Sequence, residues 1–208
     1  MRPDAVDERH ARILGKGPRI GLLTEAEMPE ECVAVRAHLR EMARSRDPDW
    51  DGDDTDSTIL PLMMHHPSLF RRQADLGVQL LVDGALSPRD REIAILRVAW
   101  LCGAPYEWGE HVHFAKSVGL DSMEIERITQ GPDAPGWSPH ERAILLAVAE
   151  LRADAMISDA TWAVLAETLD ARQLIELPVV IGQYQAVAYY QNALRLPLTP
   201  GNAGLNER

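Results

Sequence analysis

Apolar residues in this chain recur at helical spacing, and long stretches lack the alternation expected of a half-buried strand. The pattern predicts an all-α protein of about eight helices. The first spans Pro29 to Arg44, with Cys32, Val35 and Leu39 on one side, and the next runs from Pro67 to about Val82. Ser87-Pro88 opens a third, with serine as N-cap and proline at the first helical position, where its missing N–H leaves nothing unpaired. Gly103 closes that helix, Pro105 opens the fourth, and Gly119 ends it. Asp121 and Glu124 form a cap and acid pair that starts a helix to about Gln130. A helix over residues 139–154 follows the loop after it, and another runs from Ser158 to Leu169. Asp170 with Gln173 caps the last helix, in which Pro178 predicts a kink and Gly182 a close backbone approach. These helices read as one domain over residues 29–197. Residues 1–28, with Gly15, Gly17, Pro18 and Gly21 among charges, read as an extended arm, and residues 198–208 as a disordered tail.

The run Glu92–His111 is the centre of the pattern. On the helix after Ser87 only Asp90 and Arg97 mark a clearly polar, solvent-facing side, while Glu92 shares the apolar face of Ile95, Leu96 and Ala99. A carboxylate there must be paired or protonated. On the next helix Glu107 and His111 are four apart and share a face with Phe114 and Val118. Three ionisable groups on apolar faces of consecutive helices make the strongest site candidate. The competing reading is structural: a helix-surface pair at Glu107 and His111, with Glu92 bridging a neighbouring element. A faint repeat supports one site only. Ser138-Pro139-His140-Glu141 repeats Ser87-Pro88-Arg89-Asp90 at an offset of 51, and Ala143 then stands where Glu92 does.

Composition narrows the partners. The chain has 208 residues, 46% of them hydrophobic, enough for a sizeable core. Its formal charge is 21 − 32 = −11, which disfavours nucleic acid and anionic membrane surfaces. No apolar run approaches the ~20 residues of a membrane span, and no signal-peptide core is present, so the expected location is cytoplasmic. Cys32 and Cys102 form no C-x-x-C; two buried thiols of a reducing compartment are the favoured reading, with a disulfide between them the alternative. Several helices are apolar on more than one side, which predicts a homo-oligomer: a dimer, trimer or hexamer. The acidic loop Asp47–Asp56 matches the start of an EF-hand loop at Asp47, Asp49, Asp51 and Gly52. It departs from one at Pro48, Asp54 and Thr58, so a solvated acidic linker is favoured over a calcium site.

The run R-E-I-A-I-L-R-V-A-W-L-C-G-A-P-Y-E-W-G-E-H resembles the carboxymuconolactone decarboxylase family, which includes the alkylhydroperoxidase D branch. The similarity continues through G-W-S-P-H-E-R-A-I-L-L, I-S-D-A-T-W and Q-L-I-E-L-P-V-V-I-G-Q-Y, over roughly residues 60–196. It implies an alkylhydroperoxidase D-like helical bundle whose members pack helices across subunits. In the peroxidase branch a Glu precedes Cys-x-x-Cys-x-x-x-His. Glu92 and His111 fall on that Glu and His, but Ala104 and Glu107 stand at the cysteines. The Glu-x-x-x-His of the decarboxylase branch is matched by Glu107 and His111.

The favoured function is therefore cofactor-independent acid–base chemistry, decarboxylation or proton transfer, on a small carboxylated or lactone substrate. His111 would move the proton, since an imidazole ordinarily exchanges protons near neutrality. Glu107 would orient it, and Glu92 would be a second acid–base group or its anchor. Arg91 is the candidate carboxylate fork, and Tyr184 and the loop histidines His65 and His66 are candidate pocket residues. Two other classes remain: a thiol peroxidase relying on Cys102, and a metal-binding or non-catalytic oligomeric scaffold. No metal is assigned in the favoured reading.

Overall fold

The structure is a computed structural model that describes residues 3–46 and 57–208. Among the described residues it is helical without strands. Ten α-helices follow one another: α1 (Pro3–Leu14), α2 (Glu30–Arg46), α3 (Ile59–Met63), α4 (Pro67–Leu81), α5 (Pro88–Cys102), α6 (Pro105–Ser117), α7 (Ser122–Gln130), α8 (Pro139–Asp154), α9 (Asp159–Ala166) and α10 (Ala171–Leu194). The acidic segment 47–56 lies outside the described residues.

Everything is built around α5. From Arg91 to Trp100 each of its residues is buried, because α6, α7, α8 and α10 all pack against it. A helix covered on every side must be apolar nearly all round, and Ile93, Ala94, Ile95, Leu96, Val98 and Ala99 supply that surface. Each large side chain so buried contributes roughly 1.5–3 kcal/mol.

Local signals set the helix ends. Ser87, Asp121, Ser138, Ser158 and Asp170 each accept a hydrogen bond from a backbone N–H of the helix they precede. Gly103 closes α5 at φ 53°, a left-handed turn that favours glycine. α10 continues across Pro178, packed along α5. The repeated N-termini of α5 and α8 are cross-linked: Asp90 Oδ2 lies 3.1 Å from His140 Nε2, and Arg89 Nε donates to Glu141 Oε1 at 3.0 Å. Ala143, the counterpart of Glu92, is plain core.

Three expectations are corrected. Residues 3–14 are not an extended arm but the helix α1, which buries Val6 and Ile13. Its Arg9 donates to the carbonyls of Cys102 (2.8 Å) and Gly103 (2.9 Å), covering the α5–α6 corner. The segment after residue 197 is ordered. Leu205 is fully buried in the main core, and Trp108 Nε1 donates to the Glu207 carbonyl at 3.0 Å. Asn202 donates to the Tyr106 carbonyl (3.2 Å) and to Glu110 Oε1 (2.8 Å), so close to α6 that a Cβ on Gly109 would sit 1.8 Å from its Oδ1. Arg97 does not face solvent: its Nη1 donates to the carbonyls of Ile128 and Thr129 at the end of α7. Those unpaired helix-end carbonyls give a buried guanidinium a reason to be there.

The C-terminal segment should therefore contribute to stability. Leu205→Ala is expected to destabilise the protein by about 2–4 kcal/mol in urea titration, as a core truncation does. A disordered tail would give no change.

Candidate functional site

Glu92 lies one turn into α5, where no water reaches it. Its Oε2 is 2.7 Å from His111 Nδ1, and its Oε1 accepts from Arg91 Nε at 3.1 Å. Arg91 is anchored in turn through Nη1 to the Leu81 carbonyl at 3.0 Å, at the end of α4. Burial on its own would raise the Glu92 pKa, but His111 and Arg91 outweigh it and hold the carboxyl below the ordinary carboxylate range. Glu92 is ionised and accepts, which assigns the hydrogen of this contact to Nδ1 and leaves Nε2 on the far side of the ring.

The corner between α5 and α6 brings the two elements together. Gly103 reverses the chain, Ala104 N donates to the Ala99 carbonyl at 2.9 Å, and Pro105 starts α6. His111 then comes up beside Glu92. Its ring is held by Tyr184 of α10 in an edge-to-face contact, centroids 4.8 Å apart, and by Phe114 at 5.4 Å.

Glu107 completes the group in a different way from the one expected. It is buried, and neither carboxylate oxygen has a hydrogen-bond partner. Burial pushes its pKa well above the ordinary value. A carboxyl in that state is a neutral acid, able to donate as well as accept. It does not orient His111; that role belongs to Glu92.

Glu107, His111 and Tyr184 all line one cavity of about 310 Å³ between α4, α6 and α10. The other predicted pocket residues do not. Arg91 sits behind the histidine, paired to Glu92. His65 Nε2 contacts the Gly21 carbonyl at 2.8 Å, and His66 precedes α4 with its Nδ1 3.5 Å from the Ser68 hydroxyl. Their loop is tied to the N-terminal segment. Residues missing from the sequence reading are Gln73, Tyr106, Tyr190 and Gln191, which face the same space. The periodicity of α10 could have found two of them, since Tyr190 and Gln191 follow Tyr184 and Val187 at helical spacing. Gln191 is buried with its Oε1 unpartnered.

Two alternatives were open. Cys32 and Cys102 are both free thiols. Burial pushes the Cys102 thiol up, which Arg152, 3.1 Å from its sulfur, only partly offsets. Cys102 does not line the cavity. Among the described residues no three His, Cys, Asp or Glu side chains converge as a metal-ligand set.

Residues 67–150 match the model of the carboxymuconolactone decarboxylase family, a span that includes Glu92, Glu107 and His111. No curated protein matches the chain. Among solved structures, the alkylhydroperoxidase AhpD core of an uncharacterized peroxidase-related protein from Ralstonia eutropha superposes with a TM-score of 0.72 at 14% identity. That match covers 88% of this chain and 93% of that one. An uncharacterized peroxidase-related protein from Silicibacter gives 0.69 at 16%, over 91% and 97% of the two chains. A protein of unknown function from Agrobacterium tumefaciens, suggested by its description to be an AhpD antioxidant defence protein, gives 0.60 at 19%, over 65% and 94%. At these identities the likeness is one of fold: an AhpD-like helical bundle. No helix among the described residues is long and apolar enough to cross a membrane.

The two carboxyls should leave opposite marks on stability. Glu92 has a depressed pKa, so its contribution is present above the ordinary value of 4.5 and is lost as pH falls through the folded value. Glu92→Gln should destabilise by about 3–5 kcal/mol at neutral pH, because Arg91 and His111 lose their partner. Glu107 has a raised pKa, so stability declines as pH rises from 4.5 toward its folded value. Glu107→Gln should raise the melting temperature by about 2–4 °C near neutrality, with the gain vanishing in acid. Calorimetry of both variants across pH checks the two signs.

Proposed function

We propose that the protein, whose residues 67–150 match the model of the carboxymuconolactone decarboxylase family, is an acid–base enzyme whose own side chains move a proton on a small organic substrate. The observation that carries this reading is an anchored imidazole and a buried, unpartnered carboxyl, its pKa raised by burial, on residues lining one cavity. Environments that push two carboxyls apart in pKa are how a site assigns opposite roles.

The chemistry follows from the tautomer. With Nδ1–H donated to Glu92, the Nε2 lone pair of His111 is the base. It takes a proton from a carbon next to a carbonyl, and the electron pair left behind moves into that carbonyl. The protonated Glu107 donates a hydrogen bond to the oxygen where the charge collects. The imidazolium formed faces the Glu92 carboxylate, which stabilises it without taking its proton. Return of the proton to another carbon completes an isomerisation. In a decarboxylation, His111 instead enters the step protonated at Nε2 by solvent and delivers that proton to the carbon that carbon dioxide leaves. Proton transfer by a positioned side chain of this kind contributes about 10²–10⁴-fold in rate.

Thiol peroxidase chemistry is the weaker reading. It needs a thiolate, and the positions that would carry the dithiol hold Ala104 and Glu107. A homo-oligomer remains part of the proposal, supported by the exposed apolar side chains Ile175, Val179 and Tyr189 on α10. A mass of 23.1 kDa by light scattering would overturn it.

The reading is tested by deuterium exchange, followed by NMR in heavy water, on a panel of lactones and β,γ-unsaturated carbonyl compounds. His111→Gln and Glu107→Gln are each expected to slow exchange by about 100-fold or more while the fold is retained. Cys102→Ser should leave it unchanged. Exchange surviving both site variants would overturn the proposal.

A further inference from the structure

We propose that the cavity beside His111 binds an uncharged molecule of about the size of one substituted ring, carrying a hydroxyl or another hydrogen-bond donor, and excludes carboxylates. The proposal rests on the acid–base reading of the same site and narrows its substrate class.

The lining is the first observation. The whole chain has four tyrosines and two phenylalanines. Both phenylalanines and three of the tyrosines, Phe70, Phe114, Tyr106, Tyr184 and Tyr190, line this one cavity of about 310 Å³. Five of the eleven aromatic side chains of the sequence at one cavity suit a planar or ring-shaped guest.

Charge is the second. No arginine or lysine is among the described side chains that line the cavity, whereas Glu107 and Glu110 are. Glu110 is held by Thr199 Oγ1 and Asn202 Nδ2. Arg91, the sequence candidate for a carboxylate fork, spends Nε on Glu92 and Nη1 on the Leu81 carbonyl. A carboxylate entering here would give up its hydration beside acidic groups with no guanidinium or ammonium to replace it.

The third observation concerns polar groups that wait for a partner. Gln191 Oε1 is buried and unpartnered, and so are both oxygens of Glu107. All belong to residues lining the cavity. Buried polar atoms are normally paired, so an orphaned acceptor on a residue of the cavity wall is suited to a donor brought by the ligand once its amide rotates toward the cavity. A hydroxyl or N–H gives Gln191 that donor, while the neutral Glu107 acid serves the ligand's carbonyl. Between the two forms of chemistry open to this site, an uncharged guest favours proton transfer within a lactone, enone or hydroxylated ring over loss of a carboxylate.

The test is binding, and it is independent of turnover. Phenol, anisole, benzyl alcohol, benzoate and benzylamine are titrated into the full-length protein near neutral pH and followed by calorimetry or saturation-transfer NMR. Phenol and benzyl alcohol are expected to bind about tenfold or more tightly than benzoate. Gln191→Met keeps the volume and removes the acceptor; it should weaken phenol about tenfold and anisole much less, with circular dichroism confirming an intact fold. Equal or tighter binding of benzoate, tightest binding of benzylamine, equal effects of Gln191→Met on phenol and anisole, or no binding by any uncharged member would each overturn the proposal. If the uncharged ligands bind as expected while no carbon-bound proton exchanges, the acid–base reading fails and the ligand class stands. If protons exchange but benzoate competes, the ligand class fails alone.

Discussion

One buried carboxylate constrains the rest of the structure. Glu92 is fully enclosed and ionised, a state that would be prohibitive without partners. Two neighbours make it tenable, and each needs its own support. Arg91 reaches the end of α4 for the Leu81 carbonyl, and His111 must arrive on a second helix at the right height. The turn at Gly103, the start of α6 at Pro105 and the clasp of Arg9 on the corner carbonyls all serve that arrival. α10 then closes the remaining side with Tyr184 against the imidazole. The helix packing and the site are thus one solution: removing Glu92 would leave a buried guanidinium and an imidazole without an anion, on and beside the helix against which α6, α7, α8 and α10 pack.

The legible part of this arrangement was local. Caps and stops at Ser87, Gly103, Pro105, Asp121, Ser138 and Asp170 act over three or four residues, so their spacing is visible in the chain itself. Glu92, Glu107 and His111 were legible for a related reason: a charge on an apolar helical face is a contradiction that a site resolves. What was illegible depended on distant partners. α1 sets Val6 and Ile13 on one face, but nothing local shows what that face meets, and its Arg9 reaches carbonyls more than ninety residues away. The final residues looked free, yet Asn202 and Leu205 fill space left by Gly109 and the core around Trp108. The charge of Arg97 predicts a solvent-facing side chain, because the carbonyls of Ile128 and Thr129 that receive it cannot be foreseen from α5.

The roles within the site show the same limit. Spacing of four residues places Glu107 and His111 on one face, but it does not fix which carboxylate the imidazole meets. Glu92, nineteen residues before the histidine, takes Nδ1, and the Glu107 carboxyl is left buried without a partner on a residue that lines the cavity. His65 and His66 attracted notice as an adjacent pair, yet their surroundings are a tether to Gly21 and a helix start. Residue type alone could not separate these from His111; the second helix had to be in place.

Glu107 then becomes the informative residue, because stability gives it no reason to exist. An ion pair such as Glu92 with His111 and Arg91 contributes to holding helices in register, so its presence alone would be compatible with a purely structural role. Glu107 contributes no bond to the protein, is enclosed, and has its pKa raised by burial. A leucine or methionine would fill that volume without a desolvation penalty. Groups that weaken the native state while pairing with nothing in it are the mark of sites arranged for a guest, where the partner is supplied only on binding. Gln191 Oε1, orphaned on the same wall, is in the same position. Two unsatisfied buried groups on residues that line one aromatic cavity, next to an imidazole whose tautomer is fixed from behind, are hard to account for as packing. As a receptor for an uncharged molecule with a transferable proton, each of them has a use.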